Sequence, residues 1–575
     1  MSRVATSQEG LPTASILAVA PAIAIGVLVV PVCCGLLATI LPAFGYMPAL
    51  GGQSVSLEPF RDLADRPGLV RSAGLSLATA LVTTVVSVAL VALFVAGWRG
   101  TRAFVALQHL LSPLLSIPHA AAAFGLAFLI APSGYLIRLV SPWATGITRP
   151  PDWLILNDPL GLSMMAGLVL KEVPFLLLVT LAALPQTKAG PNDRLTQALG
   201  YGRMSGFLFV TWPLVYRQIR LAVFAVIAYA SSVVDVSIIL GPSTPSTLAV
   251  RLTEWMSDAD LSLRFVGSAG ALFQLAITVT ALVIWLLIER IASILVKVAR
   301  QAGWRFANDI ALRLAVLALM AILAATVFVG LAVLALWSFA GFWAFPNVFP
   351  QNFSLANWNR AAPSLGTPMV NTLVVGVLST ALATVLALAC LEREWRTGRT
   401  GGSRALWFIY LPLLVPQVSF VFGLKVFFLT IGWDATLAAM VLMHMVFVLP
   451  YVFLSLSDPW RAWDPRYGAV ASGLGASPNR LFWRVRLPML MKPALVALAV
   501  GFAVSVGQYL PTLLLGSGRI ATITTEAVAL SAGGDRRVIG VYAFLQMVLP
   551  FIAFALATAI PAFLFRGRRA MAGQG

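Results

Sequence analysis

Long uncharged apolar runs alternate with short polar stretches along the whole chain, and the length of the runs gives their meaning. A helix needs about 20 apolar residues to cross a hydrocarbon core of roughly 30 Å, because no water is present there to satisfy a free backbone N–H or C=O. Twelve runs meet that need, at about 13–42, 72–96, 104–130, 161–183, 220–241, 269–296, 311–340, 369–391, 405–431, 435–457, 494–516 and 539–565. They predict an all-α polytopic membrane protein. The first run, Leu11 to Phe44, is too long for a signal-peptide core and lacks a convincing cleavage context, so it is expected to remain as the first span.

Composition agrees: of 575 residues, 59% are hydrophobic and only 10% charged, which excludes an ordinary soluble protein. In a soluble protein a net charge of +18 would suggest nucleic acid. Here the basic residues sit in short loops beside apolar runs, so they are topology signals, and the bilayer rather than nucleic acid is the expected partner. Placing both termini in the cytoplasm puts 26 of the 39 Lys and Arg inside, from Arg3 to the Arg566, Arg568 and Arg569 tail, and 11 outside. Cys33, Cys34 and Cys390 all fall in apolar runs and are expected to be small buried hydrophobes rather than disulfides or metal ligands.

The chain is a duplication. Ile117-Pro118 and Phe124-Gly125-Leu126 recur 298 residues later as Val415-Pro416 and Phe422-Gly423-Leu424. Further on, Gly200 and Pro213 recur at Gly475 and Pro488 with an offset of 275, and Leu240-Gly241 recurs at Leu515-Gly516. The change of offset places an insertion near Ala131 to Leu160, in a loop, where it leaves packed spans undisturbed. The chain thus divides into two halves, 1–303 and 304–575, each of six spans entering the membrane in the same sense, joined around Arg300 to Asp309.

Between the fourth and fifth spans of each half lies a basic loop, about 184–220 and 458–493. Leu195, Ala198 and Leu199 in one, and Val470, Ala471 and Leu474 in the other, have the spacing of a short apolar helix face. The small residues Ala198, Gly200, Gly473 and Gly475 allow close approach by another surface, and Pro213 and Pro488 punctuate the second part of each loop. An amphipathic helix resting on lipid headgroups would also suit such a loop. The strict thirteen-residue Gly-to-Pro spacing in both copies resembles the cytoplasmic EAA loop of binding-protein-dependent ABC importer permeases, approximately E-A-A-x(3)-G-x(9)-I-x-L-P. Ala469 to Ala471, Gly475, Val485, Leu487 and Pro488 carry the likeness in the second copy, and Gly200, Val210 and Pro213 in the first; neither has the initial Glu.

The likeness covers nearly the whole chain and is nearest to the subgroup with two permease domains in one polypeptide, as in ferric-iron and thiamine importers. It implies a type I importer fold in a bacterial inner membrane, a homodimeric pair of ATPase subunits and an extracytoplasmic substrate-binding protein. It also implies that Ala198, Leu199 and Gly200 contact one ATPase and Gly473, Leu474 and Gly475 the other. ATP and Mg would be bound by those ATPases and no cofactor by this chain. None of the five lysines follows a glycine, so no phosphate-cradling Gly-Lys is present.

Ionisable groups inside a membrane cost about 2.5–3.5 kcal/mol each on insertion scales, so those in the apolar runs are candidates for the translocation path. They are Lys171, Glu172, Asp235, Lys425 and His444, with Gln508 as a neutral addition. Lys171 or Lys425 could pair with Asp235, and the adjacent Lys171 and Glu172 point about 100° apart on a helix. His109, His119 and His444 have no metal-ligand spacing and suit packing roles. Asp258-Ala259-Asp260 has the D-x-D form of some metal-dependent transferases, as a loop of solvated carboxylates also would. A twelve-span secondary transporter with two parallel halves is the alternative to the permease, but it has no need of paired docking loops.

Overall fold

The computed structural model describes residues 12–566 apart from Lys188 and Thr400; Arg3, Arg568 and Arg569 lie outside the described residues. Within them the structure is helical, with β pairing limited to two isolated bridges, Met47 with Gly52 and Ala340 with Phe353. We number the main membrane helices α1 (Pro12–Ala43), α2 (Leu69–Trp98), α3 (His119–Ile130), α4 (Leu162–Ala183), α5 (Trp212–Ser232), α6 (Leu263–Gln301), α7 (Ile310–Phe339), α8 (Ala356–Thr397), α9 (Gln417–Thr430), α10 (Leu437–Arg461), α11 (Met491–Val506) and α12 (Arg536–Leu564). Among the described residues ten stretches are long and apolar enough to cross a membrane. Two sharply bent pairs, Ala405–Leu414 with Gln417–Thr430 at 88° and Pro478–Met489 with Met491–Val506 at 74°, bring the number to the expected twelve when each pair is one span.

Four of the twelve expected spans are not continuous helices. The run at 104–130 breaks at Ile117-Pro118, and its repeat at 405–431 breaks at Val415-Pro416. A residue before proline is driven out of the α region by the pyrrolidine ring, and Ile117 and Val415 are extended, with ψ of 126° and 124°. The runs at 220–241 and 494–516 break at Val233-Val234 and at Gly507 to Tyr509, each followed by a short helix, Asp235–Leu240 or Leu510–Gly516.

The two sets of six helices pack alike. Helices α2, α4 and α5 form one cluster and α8, α10 and α11 its counterpart. The leading helices are exchanged: α1 lies along α9, and α7 lies along α3. Glycine makes both crossings possible. A Cβ on Gly423 would stand 2.0 Å from the Gly35 carbonyl oxygen, and one on Gly125 would meet the Gly330 backbone at 3.1 Å. The repeated Phe-Gly-Leu motif therefore marks the places where backbones touch, the small-residue contact by which membrane helices gain dispersion energy without a hydrophobic drive.

Within the insertion, Arg138 ties the Tyr135–Val140 helix to the loop after α7. Its guanidinium donates to the carbonyls of Ala344 and Asn347, both at 2.9 Å, and covers the Trp343 ring at 4.8 Å.

Replacing Gly423 with Leu is expected to lower thermal stability in detergent by about 1–3 kcal/mol, the usual cost of overpacking, or to abolish folding. Gly26→Leu, where a Cβ meets nothing within 4 Å, should leave the transition unchanged. Equal transitions for both variants would disprove the crossing contact.

Candidate functional site

The four helix breaks meet around one cavity of about 200 Å³. Its wall includes Ser116 to His119, Val233 to Asp235, Val415 to Gln417 and Gly507 to Leu510. Non-helical backbone at membrane depth is tolerable only where something other than lipid faces it, and here side-chain donors reach carbonyls beside three of the four breaks. Lys171 Nζ donates to the Leu114 carbonyl at 2.8 Å, closing the end of the segment before the first break. Gln274 of α6 donates to the Ser231 carbonyl, at the end of α5, at 3.0 Å. In the second half Gln546 of α12 donates to Thr524 Oγ1 at 2.9 Å, and Thr524 in turn donates to the Val506 carbonyl at the end of α11. Ser231 and Val506 are equivalent positions of the repeat, 275 apart.

His444 serves the same purpose. One ring nitrogen lies 2.7 Å from Ser505 Oγ and the other 3.0 Å from Thr512 Oγ1, so the imidazole bridges the two sides of the Gly507 to Tyr509 break from behind.

Of the six polar candidates, Lys171, Glu172, Asp235 and Gln508 line the cavity, whereas His444 and Lys425 do not. Lys425 is partly buried on α9, with Asp434 and Arg264 as its charged neighbours. Neither lysine pairs with Asp235. Lys171 is committed to the Leu114 carbonyl beside the first break, where it adds a second donor to the Ile117 N–H, a partnership no sequence pattern displays. Glu172 Oε1 lies 3.4 Å from His119 Nε2, and the His119 ring packs on Tyr229 with centroids 4.6 Å apart. Asp235 opens the short helix after its break, buried to 6% exposure, and among the described residues no other side chain hydrogen-bonds to its carboxylate. His119, Tyr229, Tyr451 and Tyr509 are wall residues that sequence pattern missed. All the charge on the wall comes from the first half: the repeat equivalents of Glu172, Asp235 and His119 are Phe447, Leu510 and Gln417.

The two basic loops fold into matching elbows. The helix Ala189–Ala198 ends at Gly200, φ +81°, and Pro465–Gly473 ends at Gly475, φ +79°. In one, the N–H groups of Gly200 and Tyr201 bond to Gln197 and Thr196 at 2.9 and 3.0 Å; in the other, those of Gly475 and Ala476 bond to Ser472 and Ala471 at the same distances. This is a Schellman cap, which needs the left-handed residue that glycine supplies without strain. Ala198 and Gly473 are thus the last helical residues. A widened π turn comes next in each, Phe207–Thr211 and Phe482–Arg486. It precedes Pro213 and Pro488, whose rings would press on the carbonyl four residues back in a regular helix. The fixed Gly-to-Pro spacing is the length of this cap and turn.

The elbows share one face of the membrane. Arg393 of α8, beside the second elbow, donates to the Ala18 carbonyl near the start of α1, and Arg99 beside the first elbow pairs with Asp193. Four crossings separate Ala18 from Asp193, an even number. Among the side chains the elbows present outward are large apolar ones: Leu195 and Leu199 are 60% and 55% exposed, Val470 and Leu474 64% and 84%.

Their anchorage differs. The first elbow is held by the segment joining the halves: Gly202 N–H donates to the Arg305 carbonyl at 3.0 Å and Met204 N–H to Asp309 Oδ2 at 2.8 Å. The second rests on Arg486, which pairs with Glu392 at 3.1 Å inside a cage of Trp395, Trp463 and Trp460 rings at 4.2, 4.5 and 5.0 Å.

The remaining acidic motif is structural. Asp258 Oδ1 accepts the Asp260 N–H, and Asp260 Oδ1 accepts the Ser262 N–H, both at 2.9 Å. The Ser262 hydroxyl and N–H hold the Asp260 carboxyl below its ordinary range. Among the described residues no three His, Cys, Asp or Glu side chains are grouped to hold a metal.

Comparison with known proteins decides between the carriers. Over 495 residues, 84% of this chain and 87% of the relative, the sequence is 32% identical to the inner membrane ABC transporter permease protein YnjC of Escherichia coli K12. The chain belongs to the ABC permease family. Residues 395–569 match the family described as binding-protein-dependent transport system inner membrane component. Shorter likenesses are to the molybdenum transport system permease protein ModB of Mycobacterium tuberculosis, 30% identical over 28% of this chain and 68% of the relative. The putative 2-aminoethylphosphonate permease PhnV of Salmonella typhimurium is 28% identical over 40% and 86%. The permease has the type I fold, is a multi-pass inner membrane protein, and serves as the permease subunit of an ABC importer, a transport component rather than an enzyme.

Replacing Gln274 with Leu, which keeps most of the volume but removes the donor to Ser231, should cost about 1–3 kcal/mol as an unsatisfied buried carbonyl. Thermal unfolding in nanodiscs measures it, and an unchanged transition would show that the break does not depend on that bond.

Proposed function

We propose that the two elbows are the docking sites of a pair of identical ATPase subunits, and that the cavity at the helix breaks is the path of the solute. The observation that carries this is the repeated Schellman cap and π turn, which hold Leu199 and Leu474 outward on one face of the membrane. Each elbow leads into a helix that breaks at the cavity: the first continuously into α5, the second through Leu487–Met489 and a 74° bend at Leu490 into α11. A push on the first elbow therefore reaches the break from Ser232 to Asp235 along one helix, and a push on the second reaches the break from Gly507 to Leu510 through the Leu490 bend. ATP and Mg bind to the ATPases, and the elbow face is cytoplasmic, with both termini on that side. The halves are 1–303 and 304–575, and an extracytoplasmic binding protein loads the opposite face. ATP closure and the loaded binding protein each favour one of two bundle states through differential contacts.

Because one polypeptide carries both halves, we place the permease with the fused ferric-iron and thiamine importers. Thermal stabilisation by ferric iron or thiamine of the binding protein that delivers to it would support that subgroup, and stabilisation by neither would remove it.

Leu474→Asp tests the docking. Leu474 is 84% exposed and has an ordinary negative φ, so the change leaves the fold intact, whereas any side chain at Gly475 is strained by its positive φ. Co-purification with the ATPase and ATP-driven uptake in proteoliposomes should each fall about tenfold or more, equivalent to about 1.4 kcal/mol. Full co-purification and uptake by the variant would overturn the assignment.

A further inference from the structure

A second cavity, of about 350 Å³, lies between α1, α8, the Ser403–Leu414 helix and α10, at the end of α8 nearest the second elbow. Its inner wall is apolar, built of Leu28, Ala387, Ile409 and Leu449, all buried. Its outer rim, Ile25 and Phe408, is 41% exposed at each residue, so the cavity opens sideways to the hydrocarbon as well as toward the polar face. Two guanidinium groups stand at the polar end, on Arg393 and Arg399.

The charge there is unbalanced. Glu394 also lines the cavity, but its carboxylate is taken by Arg461 at 2.9 Å and by the Gly401 N–H at 2.9 Å. Arg393 spends one N–H on the Ala18 carbonyl, and among the described residues neither Arg393 nor Arg399 has a carboxylate partner. An apolar slot open to lipid with two uncompensated guanidinium forks at its polar mouth has the chemistry of a phospholipid: acyl chain inward, phosphate on the arginines.

We propose that this cavity is a binding site for one anionic phospholipid. A phosphate there would also draw together the last turn of α8 and the loop after it. Glu394, which holds Arg461 at the base of the second elbow, belongs to that turn, so occupancy braces the second elbow and not the first. The site depends only on the membrane placement of these helices and stands or falls apart from the docking of the ATPases.

The test uses the full-length permease in nanodiscs of phosphatidylcholine containing a minor share of phosphatidylglycerol, with retained lipid counted by native mass spectrometry. Wild type should retain phosphatidylglycerol in preference to phosphatidylcholine. Arg393→Gln/Arg399→Gln should lower that retention about tenfold, while Arg393→Lys/Arg399→Lys, with the charge kept, should retain most of it. Equal retention of the two lipids by wild type, or unchanged retention in the double Gln variant, would overturn the proposal. So would displacement of phosphatidylglycerol by excess inorganic phosphate alone, which would mark a site for free anions. Loss in the Lys variant equal to that in the Gln variant would assign the arginines to structure and overturn it as well.

Discussion

A backbone carbonyl released inside a bilayer has no water to turn to, and the architecture of this permease derives from that constraint. A bundle of unbroken apolar helices presents only side chains, whereas broken ones bring backbone to the cavity wall. The chain breaks four spans at one level, and beside three of the breaks a side chain donates to a backbone carbonyl. Gln274 and Gln546 come from the last span of each half and reach the equivalent carbonyls of Ser231 and Val506, one directly and one through Thr524. Lys171 and His444 do related work from the fourth span of each half. Polar residues that look like substrate ligands in a hydropathy profile are thus partly the means by which the cavity exists.

Duplication preserved geometry more strictly than chemistry. The glycine cap and π turn recur residue for residue at an offset of 275, and together they fix the length of each handle. What holds each handle was free to diverge. Arg486 with its three tryptophans and Glu392 steadies one elbow, and Asp309 and the Arg305 carbonyl, from the segment joining the halves, steady the other. A charge buried as deeply as Arg486 is tolerable only with its partner and rings in place, so that anchor is rigid and exacting. The first elbow's anchor is made from the segment between α6 and α7.

The sequence displays the parts of this fold that repeat or that obey a length rule. Span number, the elbows and their cap glycines are legible because apolar run length and the Gly-to-Pro spacing are local quantities. The Phe-Gly-Leu repeat is visible too, although its reason, the contacts of Gly125 with Gly330 and of Gly423 with Gly35, requires knowing which helices cross. The breaks at Pro118 and Pro416 carry a signal in the residue before proline, overridden in a hydropathy reading by the continuous apolar run. Pairing is the least legible: charge alone points Lys171 toward Asp235, yet it serves Leu114, whose carbonyl only tertiary structure brings within its reach.

The exchange of leading helices bears on how the molecule is made. The ribosome delivers α1 first, yet the glycine groove that receives it belongs to α9, which emerges only after most of the chain has been translated. Until then α1 has α6 and then α8 among the earlier-made helices to pack against, and Gly35 stays uncovered. By contrast α7 finds α3 already inserted when it leaves the translocon. Biogenesis of the polypeptide therefore closes in a fixed order, with its earliest segment among the last to be seated.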